Sequence, residues 1–175
     1  MTLRGLLADP GVVGVWTLAP DHSSVRFTNR TLWGLMTVRG QFTAIEGTGR
    51  IECDGSVSGR LVIGAASLRT GLGKRDEHLR SPDFFDTARF PDIIVEVGAV
   101  TPNGDHSASL VANLNVRSIT RPLTLAATVT RLGNDTVHIV GRTDIDRTAW
   151  GVSGTMAGMM PATTALVADT IFVKA

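Results

Sequence analysis

A single cysteine, Cys53, stands among the 175 residues, so no disulfide can close within the chain. A lone thiol fits a reducing compartment. Histidine is nearly as scarce. His22, His78, His106 and His138 lie far apart, and neither H-x-x-x-H nor C-x-x-C occurs. That spacing offers no ligand set, so neither a metal nor a cofactor is expected. An excess of one charge is missing too: 17 Lys and Arg face 16 Asp and Glu, a net charge of +1. Long-range attraction to nucleic acid or to an anionic membrane surface is therefore not expected. No apolar run approaches the roughly 18 residues that read as a membrane span. The start, MTLRGLLADPGVVGVW, is interrupted at Asp9 and Pro10 and does not read as a secretion signal. The expectation is a cytoplasmic protein with no integral membrane segment.

Signatures of nucleotide and nucleophile chemistry are also lacking. GLGKRD (71–76) ends like a phosphate-binding loop. However, Arg75 stands where Ser or Thr is required, and Leu68 stands where the first glycine belongs. No G-x-G-x-x-G follows a strand, no G-x-S-x-G occurs, and Cys53 has no histidine near it in sequence.

What the chain does have is alternation. In VSGRLVIG (57–64), Val57, Leu61 and Ile63 share a face. In SASLVANLNVR (107–117) the shared face carries Ala108, Leu110, Ala112, Leu114 and Val116. PLTLAATVTR (122–131) aligns Leu123, Leu125, Ala127 and Val129, and TVHIVGRTDID (136–146) aligns Val137, Ile139 and Gly141. Period two of this kind means half-buried antiparallel strands. Further strands are expected at 15–18 with 24–29, at 35–43, 48–53 and 93–99, and at 165–173. Turn-forming stretches separate them, at CDGS, TPNGD, RSITRP and LGNDT. About eight strands at hairpin spacing either close into a barrel or split into a sandwich. The small inward residues Ala108, Ala112, Ala127 and Gly141 fit either a hollow or the tight approach of a helix.

Two stretches look helical: LRGLLAD (3–9), stopped by Pro10, and KRDEHLRS (74–81), stopped by Pro82. The second opens the densest chemistry in the chain, KRDEHLRSPDFFDTARFPD (74–92). Its carboxylates and His78 could serve as acid and base if burial separated their pKa values. The plainer expectation is a surface ion pair of Arg80 with Asp76 or Glu77, one helical turn away. Ser81 or Asp83 would cap the next turn, and Phe84, Phe85 and Phe90 would anchor the segment.

Three stretches resemble the YceI-like family of lipocalin-like polyisoprenoid-binding proteins. They are WTLAPDHSSVRF (16–27) with VRGQF (38–42), LRTGLGKRDEHLRSPDFFDTARFPDI (68–93), and LNVRSITRPLTL (114–125) with IDRTAWG (145–151). The middle one is the most specific. There are departures: Thr31 lies near a usual histidine, and Asn115 and Ser118 replace a usual Thr and Gly. Many members are periplasmic, whereas no signal is read here.

The resemblance implies an all-β, eight-stranded antiparallel barrel, residues 15–175, with an N-terminal appendage, residues 1–14. A helical segment near 73–82 would close or line one end. The implied function is carriage of a polyisoprenoid or other long-chain amphiphile inside the barrel, without catalysis. Parity and position in the family nominate Phe27, Trp33, Phe42, Leu61, Ile63, Leu79, Phe84, Phe85, Leu114 and Trp150 as ligand-binding residues. Two alternatives stay open. One is a small enzyme using Asp76, His78 or Asp146 as acid or base. The other is a filled barrel acting as an interaction module, for example as a homodimer.

Overall fold

The computed structural model describes residues 1–30, 37–154 and 161–175. Alternation becomes a sheet of β1 (Gly14–Leu18), β2 (Ser24–Arg30), β3 (Thr37–Phe42), β4 (Ile45–Ile51), β5 (Val57–Gly64), β6 (Leu68–Arg69), β7 (Asp92–Pro102), β8 (Ser107–Val116), β9 (Ile119–Arg131), β10 (Thr136–Asp146) and β11 (Thr163–Lys174). Three pairs of these are halves of longer, bent staves. β1 runs into β2 past a turn at Pro20–His22, and β11 pairs with both. β3 runs into β4 at Thr43 and Ala44. β5 runs into β6 past Ala65–Ser67. With the β1–β11 pairing the ring closes as an eight-staved antiparallel barrel. Closure pairs what would otherwise be exposed sheet edges.

The element limits differ from the sequence reading where the alternation breaks. The strand expected at 48–53 begins earlier, at Ile45. The strand expected at 93–99 runs on to Pro102, through a register shift between Val97 and Ala99. Gly98 falls in that bulge, which is why the period ended there in sequence.

Two local contacts shape the wall. Phe27 lies opposite Gly40 in the β2–β3 ladder. A Cβ at position 40 would meet the Phe27 ring at 2.3 Å, so only glycine lets that ring lie flat on the wall. The β8–β9 hairpin turns on two residues, Arg117 and Ser118, both left-handed at φ 51° and 62°. Such a turn matches the twist of the strands but disfavours residues with a Cβ. Arg117 is held there by three carbonyls. Its Nη1 donates to Gly151 O at 2.7 Å, Phe84 O at 2.8 Å and Pro82 O at 3.2 Å.

Two helices lie at opposite ends of the barrel. α1 (Leu3–Leu7) starts at Thr2, whose hydroxyl accepts from the Gly5 N–H at 3.1 Å. α2 (Gly73–Arg80) follows β6. Each end has its own apolar cluster. Leu3, Leu6, Val12, Trp16, Ala108 and Val137 form one. Leu68, Leu79, Phe84, Trp150 and Val152 belong to the larger one, with the barrel's inner Phe27, Phe42, Ile63 and Leu114.

Replacing Ser118 by glycine removes the Cβ penalty at φ 62°. We expect Ser118→Gly to stabilise the protein by about 0.5–1 kcal/mol. In thermal denaturation that is a rise of roughly 1–4 °C in Tm.

Candidate functional site

Between the two ends lies a cavity of about 260 Å³. The inward residues of every stave line it, from Val25 and Phe27 on β2 round to Leu166, Ala168 and Phe172 on β11. Of the ten nominated residues, Phe27, Phe42, Leu61, Ile63, Leu79, Phe84, Phe85, Leu114 and Trp150 are on its wall. Trp33 lies outside the described residues. The small inward residues divide between the two roles open to them. Gly141 and Ala168 face each other across β10 and β11 and leave room in the bore. Ala108 instead takes the close approach of α1, in the cluster with Leu3 and Leu6.

α2 and the turn after it close one end. Leu79 and Phe84 are almost wholly buried, at 1% and 0% exposure. Phe85 meets Phe42 edge-on at 5.8 Å, and Phe42 meets Phe27 at 5.7 Å. Polar contacts fix α2 to the barrel rim through Thr70. Asp76, 6% exposed, accepts from the Thr70 N–H at 2.9 Å and from its hydroxyl. Arg75 donates to the same hydroxyl and to Thr70 O, both at 2.8 Å. Arg80 donates to Ala66 O at 2.9 Å and Leu68 O at 2.8 Å.

Residues 1–12 close the opposite end. Leu3, Leu6 and Leu7 are on the cavity wall, and Val12 is fully buried beneath Trp16. Trp16 Nε1 donates to Val12 O at 2.9 Å, so this indole is satisfied where it is buried. The segment is tied to the rim by Leu3 N–H to Asp105 O at 2.6 Å and by Lys174 Nζ to Gly11 O at 2.6 Å. The Asp9 carboxylate accepts from the Gly11 N–H at 2.8 Å and from Arg131 Nη1 at 3.2 Å. The Gly11 N–H first, then Arg131, holds its pKa below the ordinary 3.8.

Polar residues on the wall include Asn29 and Arg147, both buried at the α2 end, and Thr48, Arg50, Ser58 and Arg60 on β4 and β5, whose side chains are exposed. Arg147 is 6% exposed. Its Nε donates to Pro161 O at 3.2 Å, its Nη1 donates to Val152 O, and its guanidinium lies 5.7 Å from the Phe84 ring centre. Burial pushes its pKa down, and the Asp146 carboxylate opposes that. Asn29 Nδ2 is shared between Thr164 Oγ1 at 2.8 Å and the carbonyls of Pro161 and Thr163, each at 3.2 Å. The sequence reading nominated neither residue. The signal was there: Asn29 continues the inward parity of Val25 and Phe27, and Arg147 that of Thr143 and Ile145.

A YceI-like domain model matches residues 16–175. The chain belongs to the YceI-like family. A UPF0312 protein from Yersinia pestis is 31% identical over 117 residues, which is 66% of this chain and 60% of that protein. One from Pseudomonas paraeruginosa is 30% identical over the same span. The match thus spans 60% of the length of these relatives. Among solved structures, Burkholderia cenocepacia BcnA superposes with a TM-score of 0.79 at 17% identity. The match covers 88% of this chain and 98% of BcnA. A polyisoprenoid binding domain from Saccharophagus degradans superposes with a TM-score of 0.74 at 16% identity, covering 91% of this chain and 98% of that one.

The YceI-like signature at 74–92 proves to be end closure, and its charges do not converge. The expected pairing of Arg80 with Asp76 or Glu77 is not formed. Arg80 is drawn away to backbone carbonyls on the rim, Asp76 is taken by Thr70, and Glu77 is exposed. His78 lies 3.3 Å from Asp83 at the surface, and Asp86 lies 3.6 Å from Arg89. Asp146 caps the turn at Arg147–Trp150 by accepting from the Thr148 N–H at 3.0 Å. The enzyme alternative needs Asp76, His78 or Asp146 on the cavity wall, and none of them is there. Among the described residues, no group of three or more His, Cys, Asp or Glu could hold a metal ion. No helix among them is long and apolar enough to cross a membrane.

Asp76→Ala would leave the Thr70 N–H without its acceptor. We expect a loss of about 1–3 kcal/mol, read as a lower Tm, with the rank order of apolar ligands unchanged. An unchanged melt would remove Asp76 from the closure. Acid should act at the other end. The lowered pKa of Asp9 means that its contribution is complete above the unfolded carboxyl's value, about pH 4, and is lost as pH falls through the lower folded value. The Tm difference between the natural chain and Asp9→Asn should therefore shrink on acidification below about pH 4.

Proposed function

We propose that this protein carries the apolar tail of an isoprenoid or similar amphiphile in the barrel, without catalysis. The observation that carries this reading is the hollow itself: about 260 Å³ lined mainly by Leu, Ile, Val and Phe side chains of the barrel. A cavity of about 150 Å³ lined in this way stays dry and accepts benzene. On that scale this one accepts on the order of ten carbon atoms. Each CH₂ taken out of water contributes about 0.8 kcal/mol, offset in part by the ordering of the chain.

The arrangement of polar groups gives the ligand a direction. A tail lying in the bore has α1 at one end and Arg147 with Asn29 at the other. Arg147, buried and received by the carbonyls of Pro161 and Val152, places a positive charge at that end, which supports an anionic head group near it. The wall among the described residues contains no Asp, Glu, His or Cys, which supports binding over acid–base or nucleophilic chemistry. The polyisoprenoid binding domain of Saccharophagus degradans, of the same fold, supports the choice of tail.

Filling the bore tests it. Ala168 lies on the wall opposite Gly141, so Ala168→Phe places a ring in the void. Geraniol and geranyl diphosphate titrated against Trp16 and Trp150 fluorescence should bind the natural chain. Binding to Ala168→Phe should fall at least tenfold while the far-UV spectrum and melt persist. Equal binding by both proteins would place the ligand outside the barrel.

A further inference from the structure

We propose that α1 and the turn after it are the floor that sets how long a tail the bore accepts. The inference rests on the carrier reading and names its selectivity. Three observations on different parts of the molecule lead to it. First, Leu3, Leu6 and Leu7 are on the cavity wall, at the end opposite Arg147 and Asn29. Side chains of residues 3–7, and not of the barrel staves alone, therefore end the bore. Second, the floor is anchored on separate rim elements: Leu3 to the β7–β8 turn at Asp105, Asp9 to Arg131 on β9, and Gly11 to Lys174 on β11. Gly55, in the β4–β5 turn, adds a fourth contact, since a Cβ there would lie 3.2 Å from Leu7 O. A floor held from several sides resists being pushed out by a tail. Third, the family domain begins at residue 16, so residues 3–12 lie outside the matched part.

The volume sets the scale. Room for on the order of ten carbons corresponds to about two isoprene units. A tail of three or four units would have to pass through the space held by Leu3 and Leu6. Each leucine replaced by alanine withdraws three carbons, so the pair withdraws about one isoprene unit's worth of floor.

The test measures prenyl alcohols of increasing length, namely geraniol, farnesol and geranylgeraniol, against the full-length natural chain and its Leu3→Ala/Leu6→Ala variant. In the natural chain geraniol should bind at least tenfold more tightly than geranylgeraniol. In the variant the ratio of farnesol to geraniol affinity should rise at least tenfold. If the double variant does not melt cooperatively, Leu6→Ala alone is read, and the same ratio should rise by about threefold. A folded variant that keeps the natural order overturns the floor, as does a natural chain that takes geranylgeraniol as tightly as geraniol. In both cases the carrier reading stands, because tails still bind. If no alcohol or diphosphate of any length binds either protein, the carrier reading fails and the floor fails with it.

Discussion

A sheet of eight staves rolled into a ring has a bore that its own side chains can just fill. Everything else in this protein follows from its not being filled. Where the inward position is Gly141 or Ala168, no side chain crosses the middle, and a hollow of about 260 Å³ is left. In a packed core a void forgoes about 24 cal/mol per Å³, so one this large forgoes on the order of 6 kcal/mol. That is comparable to the whole stability of an ordinary domain. The barrel must recover it through its hydrogen-bonded ring and through dense packing above and below the void. Both ends show that packing: Leu79, Phe84 and Trp150 at one, Leu3, Val12 and Trp16 at the other. A ligand filling the void would restore the missing contacts and stabilise the fold by the same physics.

The two plugs are built differently. The α2 end is fixed by side chains reaching backbone carbonyls. Arg80 grips Ala66 and Leu68, and Arg117 grips Pro82, Phe84 and Gly151. A guanidinium with several donors in one plane can hold several carbonyls at once, which a single ion pair cannot. This is why a segment so rich in acids and bases forms few ion pairs of its own. The floor depends mainly on leucines, with Lys174 donating to Gly11 O and one carboxylate, Asp9, between Gly11 and Arg131.

The ring was legible in the sequence because period two is rigid: one residue of slippage would turn every apolar side chain outward. The face carrying Ala108 through Val116 survives intact in β8. Strand limits were less legible, since they depend on bulges and corners. Gly98 ends a visible period without ending its strand, and the corner at Thr43 and Ala44 divides one stave into two. Parity marks both the apolar wall and its polar members, but only the apolar ones carry a reason to be read as inward. Arg147 and Asn29 obey the same parity as their neighbours, but an inward arginine makes sense only once carbonyls from Pro161 and Val152 are seen to receive it. The fate of Arg80 was hidden for the same reason. Helical spacing offered it two carboxylates, and only the folded rim offers it two better-placed carbonyls.

The two ends of the bore differ, and on the carrier reading that difference would give the site a direction. An enclosed apolar space alone would take any greasy molecule of the right volume, in either orientation. Here the buried charge, Arg147, stands at one end and Leu3, Leu6 and Leu7 at the other, while Arg50 and Arg60 on β4 and β5 are exposed. A cation beside a low-dielectric space interacts with an anion more strongly than it would in water. Leucines exclude both charge and water. On the carrier reading proposed above, the distance between the two ends is what sets how much of a tail fits.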